Sequence, residues 1–247
     1  MTITLYDIPS RSEVNAWSPA TWRIRYILNL KGIAHKTEWV EFPDIEKRHK
    51  ELGIPHSSLK PDGTPNYTVP AIHDPSTGVY LSESTDIAEY LEKTYPNTPI
   101  FPHETLGLQW SFVDLFRSTA LSALWQFVVP ATYQQMNRAS DAYFRLTREK
   151  MFGKKLEELA PKGDLGVSEW ARFKNDLGKV DVWYSKTNGP YLLGDTISWA
   201  DIVIAAYLTW FKVVFGKDSQ EWKDISSWHG GRWGRLVDNL RKYATVV

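Results

Sequence analysis

Two short segments on either side of a predicted hairpin carry groups that could bind a peptide with a free carboxylate. Pro70 opens a β run, where no ladder N–H is required, and the Val69-Pro70 bond is a candidate for the cis isomer. A cis bond would turn the backbone of Val69 outward, where it can pair with an extended peptide. Ser84, which follows Glu83 at a helix start, offers N–H groups and a hydroxyl to a carboxylate. Taken alone, Val69-Pro70 could simply make a turn and Ser84 could simply cap a helix. The two together favour a binding site.

The elements that must position these groups alternate between strands and helices. They are a strand at 3–6, a helix opened by Ser18-Pro19, a strand at 36–42, a charged helix at 43–52, a hairpin of strands at 69–73 and 79–81, and a helix from Ser84 to Tyr95. Alternation with one late antiparallel hairpin predicts a sheet with helices on its faces. The segment 53–66, rich in Pro, Gly and Ser, is expected to be a long loop of functional importance.

A proline-rich linker at 96–104 separates this α/β domain, residues 1–95, from an all-α domain at 105–247. After the linker, apolar residues recur at helical spacing nearly throughout. The predicted helices are 104–129, 133–160, 167–186, 199–215 and 225–243. The fold class is therefore an α/β domain followed by a helical bundle.

Charge and composition argue against several kinds of partner. The 29 basic and 29 acidic side chains give zero formal charge, so nothing favours nucleic acid or an anionic membrane. The first residues have neither a basic start nor an apolar stretch, so no secretory signal is visible and we expect a cytoplasmic protein. The most apolar segment, 202–215, is interrupted by Lys212 and is too short for a bilayer.

The order Val-Pro, hairpin, Glu-Ser, helix resembles the glutathione-binding half of the thioredoxin-like domain in glutathione transferases. In that family the residue before the proline pairs with the cysteinyl backbone of glutathione, and the Glu-Ser pair holds the γ-glutamyl end. The resemblance therefore implies that Val69, Pro70, Glu83 and Ser84 bind glutathione, the expected co-substrate.

The same resemblance places the residue that activates glutathione at the start of the first helix, where Ser18 precedes Pro19. A free thiol has a pKa of about 8.5, so little of it is nucleophilic at neutral pH unless the thiolate is stabilised. Helix N-terminal amides and a hydroxyl donor supply that stabilisation. Ser18 is therefore the predicted catalytic residue, with helix capping as its alternative role.

Several nearby residues are weaker candidates for the site. Rival hydroxyl donors and bordering residues are Ser10, Ser12, Asn15, Trp17 and Thr21. Arg23 would position the tripeptide or the loop, or would form an ordinary ion pair. The candidates for binding the glycine carboxylate, with solvated loop residues as the alternative reading, are His56, Lys60 and Asn66.

The chain contains no cysteine, and this absence selects among thiol reactions. Disulfide exchange forms a mixed disulfide on the protein, which requires a protein sulfur. The thiol must therefore come from a bound co-substrate. The remaining chemistry is attack by bound glutathione on an electrophilic carbon. The absence also excludes disulfides and a cysteine-based metal site, and no metal is expected.

A second family signature lies in the helical half. The run from Tyr191 to Val203 matches it, and Ser198 and Asp201 form a predicted capping box at the start of a buried helix. In such a box the serine oxygen accepts an amide N–H while the carboxylate reaches back to the cap. This box is structural, and with it the resemblance covers nearly the whole chain.

The pocket for a second substrate is expected to be aromatic. Nine of the twelve tryptophans follow the linker, and although most are expected in the core, aromatic surfaces across an interdomain cleft would suit a flat apolar electrophile. The lining candidates are Trp17, Trp110, Phe112, Phe116 and Tyr133.

The Ser-Pro-x-x-Trp-Arg helix start, after a long polar loop, is similar to bacterial β-aryl etherases of lignin breakdown and to their fungal glutathione transferase relatives. This similarity implies wood-derived aromatic ligands, detoxification, and cleavage of aryl ethers by thiolate attack next to a carbonyl. The family also implies a homodimer. The alternative function is a binding protein that sequesters aromatic compounds with little or no catalysis.

Overall fold

A mixed sheet organises the first part of the chain in the structure, a computed structural model that describes residues 1–247. The strands are β1 Ile3–Asp7, β2 His35–Trp39, β3 Ser58–Leu59, β4 Pro65–Asn66, β5 Ala71–Asp74 and β6 Val79–Ser82. Four of them form one sheet in the order β2-β1-β5-β6, in which β1 and β2 are parallel and the other neighbours are antiparallel. The remaining two, β3 and β4, pair as a separate small hairpin.

Three helices belong to this part, namely α1 Pro19–Leu30, α2 Ile45–Leu52 and α3 Ser84–Thr94. Pro19 occupies the first position of α1, where its missing N–H has no consequence. The strand predicted at 36–42 ends earlier, at Trp39, because Phe42–Asp44 forms a 3-10 turn with Pro43 in its first turn. The alternation of elements predicts the sheet with helices on its faces, and the result is the thioredoxin-like domain that the family resemblance implies.

Seven helices form the second part. They are α4 Leu106–Phe116, α5 Ser122–Gln134, α6 Arg138–Phe152, α7 Leu156–Leu159, α8 Gly163–Tyr184, α9 Trp199–Phe215 and α10 Gln220–Leu240. Helix α10 is interrupted by a kink at 228–231, where the backbone is not helical. A π-helical turn, Arg117–Leu121, joins α4 to α5. The single helix predicted at 133–160 is wrong: the chain breaks at Gly153, whose φ of 65° ends α6 in the left-handed region.

The two parts share one hydrophobic core. Helix α1 packs against α9, which is buried on nearly all sides. Across this contact the hydroxyls of Tyr26 and Thr209 are hydrogen-bonded at 2.8 Å. The contact holds α1 against the helical part, and a cleft opens between the two parts beside the start of α1. None of the helices has the length and apolar character needed to cross a membrane.

Candidate active site

A cavity of about 750 Å³ lies between the thioredoxin-like part and helices α5, α6 and α9. Its wall includes Trp17-Ser18-Pro19 at the start of α1, the segment Tyr67–Val69, and both ends of the β3–β4 hairpin. The charged side chains that line it are Lys60, Arg148 and Lys150, and it has no acidic one. An apolar cleft with cationic groups suits ligands that combine apolar surface with negative charge. A second cavity, of about 260 Å³, lies elsewhere, between α1, α9 and α10.

Ser18 lies at the cleft with its hydroxyl unused by the protein. It is the residue before α1, yet its side chain makes no capping hydrogen bond. The amides of Ala20 and Thr21 in the first turn also have no partner, and Pro19 contributes none. The start of α1 therefore offers a hydroxyl and two amides, together with the positive end of the helix dipole.

The rival hydroxyls are placed differently. Ser10 and Ser12 bond each other at 2.7 Å, and Ser10 also donates to the carbonyl of Asn15. Asn15 in turn accepts the Ser10 amide with its side chain, at a φ of 62°, so it organises the loop and does not line the cleft. Thr21 is fully buried and also lies outside the lining. Among these candidates, Ser18 alone presents a hydroxyl to the cleft, and Trp17 lines it beside Ser18.

The backbone of Val69 is unpaired at the cleft wall. The Val69-Pro70 bond is cis, as the sequence predicts, and Pro70 leads directly into β5. Neither the N–H nor the C=O of Val69 has a hydrogen-bond partner, although the residue is buried. Both groups are therefore available to an extended peptide.

Glu83 and Ser84 reach the same end of the sheet through strand pairing. Ala71, one residue after Pro70, is the register partner of Ser82, so the start of α3 lies close to Val69. The helix begins at Ser84, and Glu83 is its N-cap with a φ of 73° and no side-chain cap. Three consecutive amides, from Ser84 to Asp86, have no partner. The sequence prediction of Ser84 as a cap is therefore shifted by one residue, and the helix start is open.

Arg23 on α1 lies directly behind Ser84. Its Nη1 donates to Ser84 Oγ at 3.1 Å, and the Ser84 hydroxyl donates to Glu83 Oε1 at 3.1 Å. The guanidinium is buried, forms no ion pair, and stacks 5.0 Å from the ring of Tyr207. Burial lowers the pKa of Arg23, so a nearby anion would stabilise its charge. Of the roles expected for Arg23, an ordinary ion pair is therefore excluded, whereas positioning at Ser84 fits the contacts.

The β3–β4 hairpin, which the sequence predicts as a loop, carries two of the three candidates for the glycine carboxylate. Lys60 and Asn66 line the cleft, and Lys60 Nζ is 3.8 Å from Glu46. Asn66 bonds the hydroxyl of Ser58 across the hairpin. His56 is exposed and lies outside the lining.

The aromatic wall of the cleft differs from the expected one. Four of the expected lining residues lie outside it: Trp110, Phe112, Phe116 and Tyr133. Phe112 packs on Trp183 and Phe116 on Tyr207 inside the helical core, and Tyr133 stacks behind Phe144. The rings that do line the cleft are Trp17, Phe42, Tyr67, Trp125, Tyr143, Phe144 and Trp210. Periodicity identifies apolar faces but does not tell which face meets a cleft, and this is why the sequence missed them.

Both halves of the chain match family models. The glutathione S-transferase N-terminal domain model matches residues 17–94, and the C-terminal domain model matches residues 107–243. The chain belongs to the glutathione S-transferase family. It is 29% identical over 244 residues to the glutathione S-transferase-like protein ustS of Aspergillus flavus, which covers 93% of this chain and 84% of that protein.

Solved structures of fungal glutathione transferases superpose along the whole chain. A glutathione S-transferase of Ceriporiopsis subvermispora, in complex with glutathione, has a TM-score of 0.95 and 43% identity, covering 100% of this chain and 99% of that one. A glutathione transferase of Phanerochaete chrysosporium has a TM-score of 0.94 and 38% identity, with the same coverage. These likenesses establish a glutathione transferase-like enzyme.

In the helical-domain signature of this glutathione S-transferase, the polar groups are hydrogen-bonded to one another. Asp201 accepts hydrogen bonds from the Ser198 amide (2.9 Å), the Ser198 hydroxyl (2.7 Å), Tyr184 (2.7 Å) and the Leu192 amide (2.9 Å). The predicted capping box is therefore formed: the Ser198 side chain faces the backbone amide of Asp201, and the Asp201 carboxylate reaches back to the Ser198 amide. The Ser198 hydroxyl also donates to this carboxylate. Burial raises the pKa of Asp201, and these donors act in the opposite direction.

Proposed function

We propose that this protein is a glutathione transferase in which Ser18 stabilises the thiolate of bound glutathione for attack on aromatic electrophiles. The observation that carries the proposal is the unpaired Ser18 hydroxyl, which lines the cleft at an open helix start. In the reaction the glutathione sulfur forms a bond to an electrophilic carbon, and the leaving group departs with the bonding electron pair. The hydroxyl and the first-turn amides of α1 would hold the negative charge on sulfur before attack.

The tripeptide would lie along three positions that the fold brings together. Val69 would pair with the cysteinyl backbone through its unpaired N–H and C=O. The γ-glutamyl carboxylate would accept from the Ser84 hydroxyl and the open amides of α3, while the Glu83 carboxylate would accept from the α-ammonium. Binding would then require the Ser84 proton to turn from Glu83 to the ligand, with Arg23 holding the oxygen from behind. Lys60 and Asn66 would face the glycine end.

The second substrate would lie against the seven rings of the cleft. Their area suits flat aromatic molecules. We place the chain with the fungal transferases related to bacterial β-aryl etherases, a proposal supported by the identity of 38% to 43% to transferases of two fungi and by the Ser18-Pro19 helix start. That placement implies aryl ether cleavage, detoxification and homodimer formation. Product analysis tests the reaction, and sedimentation tests the homodimer.

The test is the substitution Ser18→Ala. Loss of one pre-organised hydrogen-bond donor to the glutathione thiolate should lower kcat by about 100-fold. The glutathione dissociation constant, measured by calorimetry, should change by less than about threefold because the tripeptide contacts remain. The pKa of the bound thiol, followed by ultraviolet absorbance of the thiolate, should rise in the variant. Thr21→Ser, at a neighbouring hydroxyl outside the cleft, serves as the control. An unchanged kcat in Ser18→Ala would refute the assignment.

A second candidate function, sequestration of aromatic compounds, is favoured by the same aromatic wall. It predicts tight binding of an aromatic compound that is unaffected by glutathione, and no turnover on a panel of electrophiles. Turnover that saturates in both substrates would exclude it as the main function.

A further inference from the structure

Two of the three cations that line the cleft, Arg148 and Lys150, have no counter-ion, and of these Lys150 is exposed whereas Arg148 is partly buried. Arg148, on α6, lines the cavity, and its only hydrogen bond is from Nη1 to the hydroxyl of Thr147, at 3.2 Å. No carboxylate lies within ion-pair distance of it. Arg145, one helical turn earlier, is by contrast paired with both Glu149 (2.8 Å) and Glu157 (2.6 Å). The same helix thus neutralises the arginine outside the cleft and leaves the arginine inside it unpaired.

Aromatic rings hold this guanidinium in place. Its central carbon lies 4.9 Å from the ring centre of Phe144 and 5.6 Å from that of Phe42. Both rings pack on Trp17, with centroid separations of 6.3 Å and 6.2 Å, and Trp17 precedes Ser18. The stack therefore connects Arg148 to the start of α1 through side chains that line one cavity. Ring faces attract the cation but do not satisfy its N–H donors, which remain available to an acceptor.

The charge balance of the cleft points the same way. The chain has zero net charge, yet the cleft wall contains three cations and no acid. Lys60 lies on the side of the thioredoxin-like part, where the glycine carboxylate of glutathione is proposed to bind. Arg148 belongs to the opposite wall, among the rings. Its partial burial lowers the pKa of Arg148, a cost that an anionic ligand would offset.

We infer that Arg148 binds an anionic oxygen, such as a carboxylate or an acidic phenol, on the aromatic second substrate. This inference rests on the proposed function and names the substrate class of that site. The guanidinium fork can present two parallel N–H donors to the oxygen pair of a carboxylate, or one to a phenolate oxygen, while the rings of Phe42 and Phe144 contact the aromatic plane. Neutral aromatic electrophiles would use the rings alone.

The experiment compares a chloronitrobenzoate with the corresponding chloronitrobenzamide. In both, the glutathione thiolate attacks the carbon that carries chlorine, the C–S bond forms, and chloride leaves with the electron pair of the C–Cl bond. Each variant is expressed as its kcat/KM relative to the unmodified protein, so that the different intrinsic reactivities of the two compounds cancel. Arg148→Met should lower kcat/KM for the benzoate by about tenfold and for the benzamide by less than about twofold. Arg148→Lys should retain most of the activity towards the benzoate.

The control variant is Lys154→Met, which removes the same charge from an exposed position outside the cleft lining. It should change neither substrate by more than about twofold. Equal losses for both substrates in Arg148→Met, no loss in either, or an equal effect in Lys154→Met would each overturn the inference. If Arg148→Met does not fold, Arg148→Gln carries the same comparison.

Equilibrium binding separates this inference from the proposed function. The dissociation constants of nitrobenzoate and nitrobenzamide, measured by calorimetry on the glutathione-loaded protein and on the protein alone, require no reaction. A protein that conjugates neither electrophile would refute the proposed function, yet a roughly tenfold preference for nitrobenzoate that Arg148→Met abolishes would still support the assignment of Arg148. Absence of that preference would refute it.

Discussion

The starts of helices α3 and α9 contain the same chemical groups but differ in whether the protein satisfies their backbone amides. Each has a serine and an aspartate in its first turn, and the sequence predicts a cap at both. In α9 the amides of Ser198, Trp199 and Ala200 all have partners inside the protein: the Asp201 carboxylate, the Ile100 carbonyl and the Gln109 side chain. In α3 the first three amides have none, and an arginine lies behind the serine. A helix start becomes structure when the protein satisfies its donors and remains open to a ligand when it does not.

The sharpest test places a thiol at an open helix start and at a closed one. Because the chain has no cysteine, Ser18→Cys and Ser198→Cys each carry a single thiol. The open start of α1 should lower the thiol pKa and let the thiolate attack oxidised glutathione, forming a protein–glutathione disulfide and releasing one reduced glutathione. Burial beside Asp201 should raise the pKa of the other thiol. Rates followed by mass spectrometry should differ by about a thousandfold or more. Similar rates would remove the distinction between the two starts.

Removing the acceptor of the closed start should chiefly affect stability. Asp201→Ala leaves the buried donors of Ser198, Leu192 and Tyr184 without their acceptor, so the free energy of unfolding should fall by about 3–5 kcal/mol. Chemical denaturation measures this loss. Glutathione affinity of the protein that remains folded should stay within about twofold. A loss below about 1 kcal/mol would show that the closed start contributes little.

His49 tests whether an unpaired polar group suffices to make a ligand site. Both ring nitrogens are buried without a partner, between the rings of Tyr6 and Tyr67, and burial lowers the pKa of His49 to about 4. Because this pKa is below the ordinary value of about 6.5, the stabilisation is complete above that pH and is lost as the pH falls towards 4.

Between about pH 7 and about pH 4.5 the protein should therefore lose about 2 kcal/mol through His49. The difference in unfolding free energy between the unmodified protein and His49→Phe, measured by denaturation at both pH values, isolates this contribution from other titrating groups. An identical pH dependence in the two proteins would contradict the prediction. Glutathione should not alter the pKa of His49, since the ring is not accessible from the cleft.

At the open start of α3, loss of one hydroxyl should have the smallest effect. Ser84→Ala should raise the glutathione dissociation constant by about tenfold, because a charge-assisted hydrogen bond is lost and Arg23 loses its acceptor. Thr85→Ala, which keeps its amide and removes the neighbouring hydroxyl, is the matched control and should change affinity by less than about twofold. Equal effects of the two substitutions would mean that the amides alone bind the carboxylate.

The sequence predicts most reliably those elements whose signals are local. Helix α9 has the predicted bounds, 199–215, because a capping box opens a segment that is apolar on every face. The cis bond before Pro70 and the position of Ser18 directly before α1 also follow from local residue order. The break at Gly153 was missed because apolar spacing continues across it, and a single glycine in a helical pattern does not by itself reveal a left-handed turn.

The cleft wall could not be predicted because it is assembled from distant segments. Phe42 follows β2, whereas Trp125, Phe144 and Trp210 lie on three different helices. With twelve tryptophans in the chain, aromatic content marks core and cleft alike. Arg148 is one of 29 basic residues, and its position in the cleft, its ring contacts and its lack of a carboxylate partner are visible only in three dimensions.

The packing of α1 on α9 also limits how this enzyme can be recombined. Trp22 and Tyr26, which lie next to α9, would be exposed to water if the first 95 residues were produced alone. A helical half grafted from another source would need a hydroxyl where Thr209 meets Tyr26. Chimeras should therefore exchange α1 together with α9, so that both sides of their interface come from the same protein. A heat-melting curve of the intact chain should accordingly show a single cooperative step.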